Sequence, residues 1–163
     1  MMQNNQLPIE QRLIAALIDR GMTVATAESC TGGLMAKRLT DVPGASAVYL
    51  GSVVSYANAV KVNLLGVSPD DLAAHGAVSA PVAAQMARGV RLAAGTDLAV
   101  STTGIAGPGG GTPEKPVGTV WVGVSTAAGE ETFLLQLDPQ ADRSVIREEA
   151  ATLALTAALN RIS

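Results

Sequence analysis

The sequence predicts an α/β fold: a three-layer αβα sandwich with a mixed central sheet, built as one domain over residues 1–163. Three observations carry that reading. Segments of helical and strand periodicity alternate along most of the chain, which is the pattern of helices packed on a sheet. Two adjacent β-rich segments follow late, as an antiparallel hairpin that makes the sheet mixed. No repeat or linker divides the 163 residues, and 48% hydrophobic against 15% charged residues is the balance of a folded globule. Aromatic residues are only 2%, so the core must be built from Ala, Val, Leu and Ile, which favours close helix–sheet packing.

Residues 8–20 carry Ile9, Leu13, Ile14, Leu17 and Ile18 at helical spacing and end before Gly21, a C-cap residue. Residues 22–27 are a short β-branched run, read as a strand. Residues 34–39 read as a helix that stops near Pro43 and Gly44. The run 47–56 is nearly continuously apolar and predicts a buried strand. Residues 58–65 form a short helix closed by Gly66, and a second short helix starts with Ser68 as N-cap and Pro69 in its first position. A longer helix spans 79–95, and the strand 97–104 runs into a loop rich in Gly and Pro. Residues 119–126 and 131–137 pair as a hairpin across Ala127–Gly129. The last element is an amphipathic helix from Asp142 to Ile162, with Val145, Ile146, Leu153 and Leu159 among its apolar positions.

Composition removes several function classes. A net charge of −3 and scarce aromatics argue against nucleic acid as a partner, because phosphate backbones need concentrated Lys and Arg. Cys30 and His75 are the only cysteine and histidine, so no intramolecular disulfide and no cysteine-based metal site is expected. The first residues lack the basic and apolar regions of a signal peptide, and no stretch approaches about 18 consecutive apolar residues. The expectation is a cytoplasmic domain without a membrane span.

Two predicted strands end directly in glycine-rich turns, and ligands of α/β sheets gather beyond the carboxyl ends of strands. The first turn reads Thr26-Ala-Glu-Ser-Cys-Thr-Gly-Gly33. Ser29 or Thr31 is either a helix N-cap or part of a site. Gly32 and Gly33 weigh against a plain cap, since each costs about 1 kcal/mol relative to alanine in a helix. Leu34 also stands where a capping-box Glu or Gln would follow Thr31. Glycines here allow a ligand to approach the backbone, and the turn amides suit an anion or a developing oxyanion. The spacing is not a nucleophile elbow, because Ala27 and Thr31 occupy its glycine positions.

A nucleophilic serine needs a base. His75 lies between two helices with no evident carboxylate to orient it. Lys61, among Val60, Val62, Leu64 and Leu65, is the alternative: desolvation lowers a lysine's pKa towards the useful range. A lysine snorkelling at a helix edge fits the same pattern. The second turn, from Gly104 to Gly118, has no Gly-Lys-Ser/Thr, and Thr112 stands where the third glycine of a dinucleotide fingerprint would fall. So long a loop inside a compact domain reads as a pocket wall, with Thr103 and Gly104 aimed inward. Arg143 is in position either to reach a phosphate or to stay on the surface; Lys37, Lys115 and the other arginines read as solvated.

Taken together, the motifs TAESCTGG, GSVVSYANAVKVNLLGV, HGAVS, TTGIAGPGGG and KPVGTVWVGV stand in the order and spacing of one family. From about Ile9 to Leu159 the chain resembles the nicotinamide mononucleotide amidohydrolases, whose domain also forms the C-terminal half of competence/damage-inducible CinA proteins. The resemblance implies deamidation of nicotinamide mononucleotide to nicotinate mononucleotide and ammonia, in pyridine-nucleotide salvage. It also implies an αβα sandwich that self-associates as a homo-oligomer, needing no metal and no cofactor. The separate N-terminal domain of CinA proteins is not expected here.

Carried over by motif, Ser29 matches the family nucleophile, Lys61 its lysine base and Tyr56 a tyrosine of the site. Ser46 falls at a serine that assists the dyad. Thr103, Gly104, Ile105, Ala106, Gly107 and Arg143 match positions attributed to nucleotide binding, and the turn Cys30, Thr31, Gly32 and Gly33 would supply oxyanion donors. The chain departs from the family pattern at Ala45, Ala80 and Ala141, where Ser, Glu and Gly are more usual. A non-catalytic pyridine-nucleotide-binding or oligomerising module is the competing expectation.

Overall fold

A mixed five-stranded sheet in the order β2-β1-β3-β4-β5 forms the middle layer of the molecule. The structure is a computed structural model and describes residues 6–163. The strands are β1 (Val24–Glu28), β2 (Tyr49–Val54), β3 (Leu98–Gly104), β4 (Thr119–Thr126) and β5 (Gly129–Gln136). β1 runs parallel to both β2 and β3, whereas β3–β4 and β4–β5 are antiparallel. Helices α1 (Ile9–Arg20), α2 (Leu34–Thr40) and α6 (Arg143–Ile162) cover one face. The other face carries α3 (Asn58–Leu65), α4 (Pro69–His75) and α5 (Ala80–Ala94). The αβα sandwich with a mixed sheet is the architecture that the alternating periodicity predicts.

The two faces of the sheet differ because successive strand side chains point to opposite sides. Val24, Leu98, Val100, Val122 and Val124 face α1 and α6, where they pack with Leu13, Leu17, Ala154 and Leu155. Ala25, Ala27 and Ala99 face α5 and meet Val82, Met86 and Val90. These small residues let α5 approach closely: Ser101 Oγ donates to Ala83 O at 2.6 Å, and a Cβ on Gly123 would lie 2.3 Å from that same carbonyl.

Local signals set most boundaries. Gly21, Gly66 and Gly95 close α1, α3 and α5 in the left-handed conformation, and Ser68 Oγ accepts from Asp71 N–H at the start of α4. Two expectations need correction. The run 47–56 is no buried strand: β2 lies at the edge of the sheet, paired only with β1, and leaves Leu50 and Val54 about half exposed. A 3₁₀ turn at Ala45–Ala47 takes up the start of that run. Val145 also faces solvent, because the buried stripe of α6 runs through Ile146, Ala150, Ala154 and Ala158. Among the described residues no helix is long and apolar enough to cross a membrane.

Candidate active site

Neighbouring parallel strands deliver the site. Ser29 follows β1, Ser55 follows β2, and Gly104 closes β3. Backbone bonds hold these ends level: Ser29 N–H donates to Thr102 O at 3.0 Å, and Ser55 N–H to Glu28 O at 2.8 Å. Beyond them lies a pocket of about 280 Å³, at the small end of usual ligand sites. Ser29, Cys30, Tyr56, Lys61, Thr103 and Arg143 stand on its wall, with the backbone from Gly104 to Gly107.

Lys61 is buried, at 1% exposure, and its Nζ lies 3.0 Å from Ser29 Oγ. Helix α3 begins just after β2 ends, and its second turn brings Lys61 back over the strand ends. Nζ also donates to Ser55 O at 2.6 Å and towards Tyr56 O at 3.4 Å. Burial pushes the ammonium below the ordinary lysine pKa of 10.5, because the charged form loses its water. A neutral amine has two N–H bonds, and two carbonyls stand ready to accept them. Its lone pair is then left for the Ser29 hydroxyl proton.

The turn after Ser29 is held from two sides. On the inner side is Glu28, the last residue of β1 and fully buried. Its carboxylate accepts from Thr31 Oγ1 at 2.7 Å, Met35 N–H at 2.9 Å and Ala36 N–H at 3.0 Å. Glu28 thus serves as the anionic cap of α2, while neither Ser29 nor Thr31 caps it with a side chain. With its own proton given to Glu28, Thr31 Oγ1 accepts from Thr102 Oγ1 at 2.7 Å, joining the turn to β3. On the outer side, Arg147 of α6 donates from Nε to Cys30 O at 3.0 Å and from Nη2 to Thr31 O at 3.1 Å.

Several predicted site residues lie elsewhere. Thr31, Gly32 and Gly33 are off the pocket wall: Thr31 turns into the Glu28 network, and Gly32 lies against Arg147. Ser46 is exposed before the first residue of β2, at the opposite end of the sheet from Ser29, in a separate cavity with Tyr49. It cannot reach the Ser29–Lys61 pair within this chain. His75 is exposed at the end of α4, where its carbonyl accepts from Lys115 Nζ at 2.6 Å. Cys30 does border the pocket, but burial pushes its thiol up to about 12, so it is no nucleophile near neutral pH.

Arg143 and Tyr56 both stand on the pocket wall. Arg143 donates to Gly107 O at 2.6 Å and to Tyr56 Oη at 3.3 Å, linking the glycine-rich loop to the α3 side of the pocket. Thr103 Oγ1 donates to Ala77 O at 2.8 Å, which fixes the loop before α5 as another wall. Sequence reasoning missed Asn58, Ala77, Val78, Glu28 and Arg147. Asn58 had a signal, since it lies three residues before Lys61 and so shares its helix face. Ala77 and Val78 had none.

This arrangement can now be set beside known proteins. Residues 6–162 match the family model described as the CinA C-terminal domain. The chain belongs to that family. It is 58% identical over 122 residues to a CinA-like protein of Chlorobaculum tepidum, covering 75% of this chain and 29% of the relative. A CinA-like protein of Salinibacter ruber is 52% identical over 155 residues, covering 95% and 37%. The chain therefore spans about a third of the length of such CinA-like relatives. Among solved structures, a competence/damage inducible protein from Agrobacterium tumefaciens superposes with a TM-score of 0.89 at 41% identity, covering 93% of each chain. A CinA superfamily protein from Klebsiella pneumoniae gives 0.90 at 34% identity, covering 94% of this chain and 95% of its own.

Proposed function

We propose that this CinA domain is an amidohydrolase that deamidates nicotinamide mononucleotide to nicotinate mononucleotide, using Ser29 as nucleophile and Lys61 as base. The observation that carries the reading is the 3.0 Å contact between Ser29 Oγ and a lysine Nζ that is buried without a carboxylate partner among the described residues. Neutral Lys61 takes the Ser29 proton as Oγ attacks the carboxamide carbon. The tetrahedral oxyanion is met by the backbone N–H of Cys30 in the Ser29 turn. Lys61 then returns its proton to the departing nitrogen, ammonia leaves, and a Ser29 ester remains. Water, deprotonated by Lys61, cleaves that ester to the carboxylate and restores Ser29.

Substrate recognition follows from the same pocket. Arg143 is its one guanidinium, and no Asp or Glu stands on the wall, which supports an anionic substrate such as a nucleoside monophosphate. The Ser29 N–H is committed to Thr102 O and the Gly32 N–H to Ser29 O, and Thr31 and Gly33 stand off the pocket wall, so within the turn the oxyanion donor narrows to the Cys30 N–H. The test is ammonia release from nicotinamide mononucleotide by the wild-type, Ser29→Ala and Lys61→Ala proteins. Both substitutions are expected to lower kcat by at least about a thousandfold. Near-normal turnover in either would rule out the dyad. Tight nucleotide binding by a wild-type protein with no ammonia release would favour a binding module instead.

A further inference from the structure

We propose that Arg147 is a positioning residue for the reaction: by gripping two successive carbonyls of the Ser29 turn, it holds Ser29 Oγ and the Cys30 N–H in place at the pocket wall. The inference rests on Ser29 acting as the nucleophile. Arg147 lies one helical turn beyond Arg143 on α6, so both guanidiniums point at the strand ends from the same helix face. Their partners differ. Arg143 reaches the pocket wall, whereas Arg147 stays behind the turn, half-buried and off the wall.

The geometry of a trans peptide makes the grip directional, because its C=O and N–H point opposite ways. The Cys30 carbonyl shares a peptide unit with the Thr31 N–H, and the Thr31 carbonyl shares one with the Gly32 N–H. Holding both carbonyls towards α6 turns both N–H groups away from it. The Gly32 N–H is used at once, donating to Ser29 O at 3.1 Å and closing the turn. Thr31 itself is fully buried and off the pocket wall, so the amide of this turn that meets the pocket is that of Cys30, which the grip on the Cys30 carbonyl holds in place.

Two further features show that the turn is shaped around this guanidinium. Among the described residues no carboxylate pairs with Arg147, and both of its recorded hydrogen bonds go to the turn. Gly32 has a φ of +59°, and a Cβ there would lie 3.0 Å from Arg147 Nη2, so glycine leaves the space that the grip requires.

The experiment compares kcat and KM for nicotinamide mononucleotide deamidation in wild-type protein, Arg147→Ala and Arg147→Lys, with and without low-millimolar guanidinium chloride. In Arg147→Ala, kcat is expected to fall roughly tenfold to a hundredfold, below the effect of deleting an oxyanion donor outright. KM should stay within about twofold, and guanidinium should restore part of the lost rate by refilling the vacated site. Arg147→Lys keeps the charge and the alkyl stem, so it supplies the test if the alanine protein does not fold. One ammonium cannot bridge both carbonyls, so kcat should still fall several-fold. Wild-type kcat in either variant overturns the proposal, as does a loss confined to KM or one that guanidinium leaves unchanged. If Ser29→Ala retains turnover, the nucleophile reading fails; if only Ser29→Ala is inactive and Arg147→Ala is normal, this inference fails alone.

Discussion

Lys61 is where the site's chemistry and its cost to stability meet. Lysine is almost never fully buried without a partner of opposite charge, yet Lys61 is 1% exposed and contacts only carbonyls and a hydroxyl. The sign of the pH effect follows from its lowered folded-state pKa. Between that value and 10.5 the unfolded chain holds a proton that the folded chain has released, so stability rises with pH across this window. Below the folded-state pKa the full penalty is present. Lys61→Met is therefore expected to abolish turnover and stabilise the fold at neutral pH by on the order of 1 kcal/mol. Urea unfolding at neutral and alkaline pH checks this: the wild type should gain on the variant as pH rises. In the wild type, kcat/KM should climb with pH and level off below the range of an ordinary lysine. The candidates Ser29 and Lys61 were legible because a glycine-opened turn and an apolar-flanked lysine are local patterns. Their 3.0 Å contact was not, because they lie 32 positions apart.

At the level of elements, α5 and the sheet depend on small residues at their contact. Gly123 of β4 pairs with Ser101 of β3 directly beneath α5. A Cβ on Gly123 would lie 2.3 Å from Ala83 O and 2.6 Å from Ser101 Oγ, so Gly123→Ala must push the helix away. Overpacking of this kind costs about 1–3 kcal/mol, and a lower urea midpoint with an unchanged slope is the expected result. Helix ends were readable from glycine caps and from Ser68, since capping is decided within a few residues. The cap of α2 was not readable, because Glu28 reaches Met35 and Ala36 from seven and eight residues upstream, across a turn. The edge position of β2 was hidden for a different reason. An apolar run looks the same whether one neighbouring strand or two will flank it.

For the whole molecule, strand order is what makes a pocket. The chain leaves β1 for β2 on one side and crosses to β3 on the other, so the C-terminal ends of these three strands converge. The last helix then returns to bring Arg147 to Cys30 across 117 positions and Arg143 to Tyr56 across 87. A ligand spanning these elements should stabilise the fold as a unit. With Ser29→Ala, which binds without turnover, nicotinamide mononucleotide at a hundred times its Kd should add about 2.7 kcal/mol. That corresponds to a rise in Tm of roughly 5–10 °C in a thermal-shift measurement. Nicotinamide riboside, which lacks the phosphate for Arg143, should give a smaller rise. Equal shifts for the two compounds would remove Arg143 from phosphate recognition.

The amino-acid order by itself determined the kinds of elements, most of their ends, the αβα class and the short set of groups able to do chemistry. These properties depend on side-chain periodicity, backbone freedom at glycine and caps a few residues long, so the local chain carries them. Tertiary structure decided which of those groups meet. It joined Ser29 to Lys61, sent Ser46 to the far end of the sheet and turned Thr31 inward to Glu28. It also gave Arg147, which local pattern had left among the solvated arginines, its place behind the turn. Strand order and register set distances between residues far apart in the chain, and no local pattern encodes them.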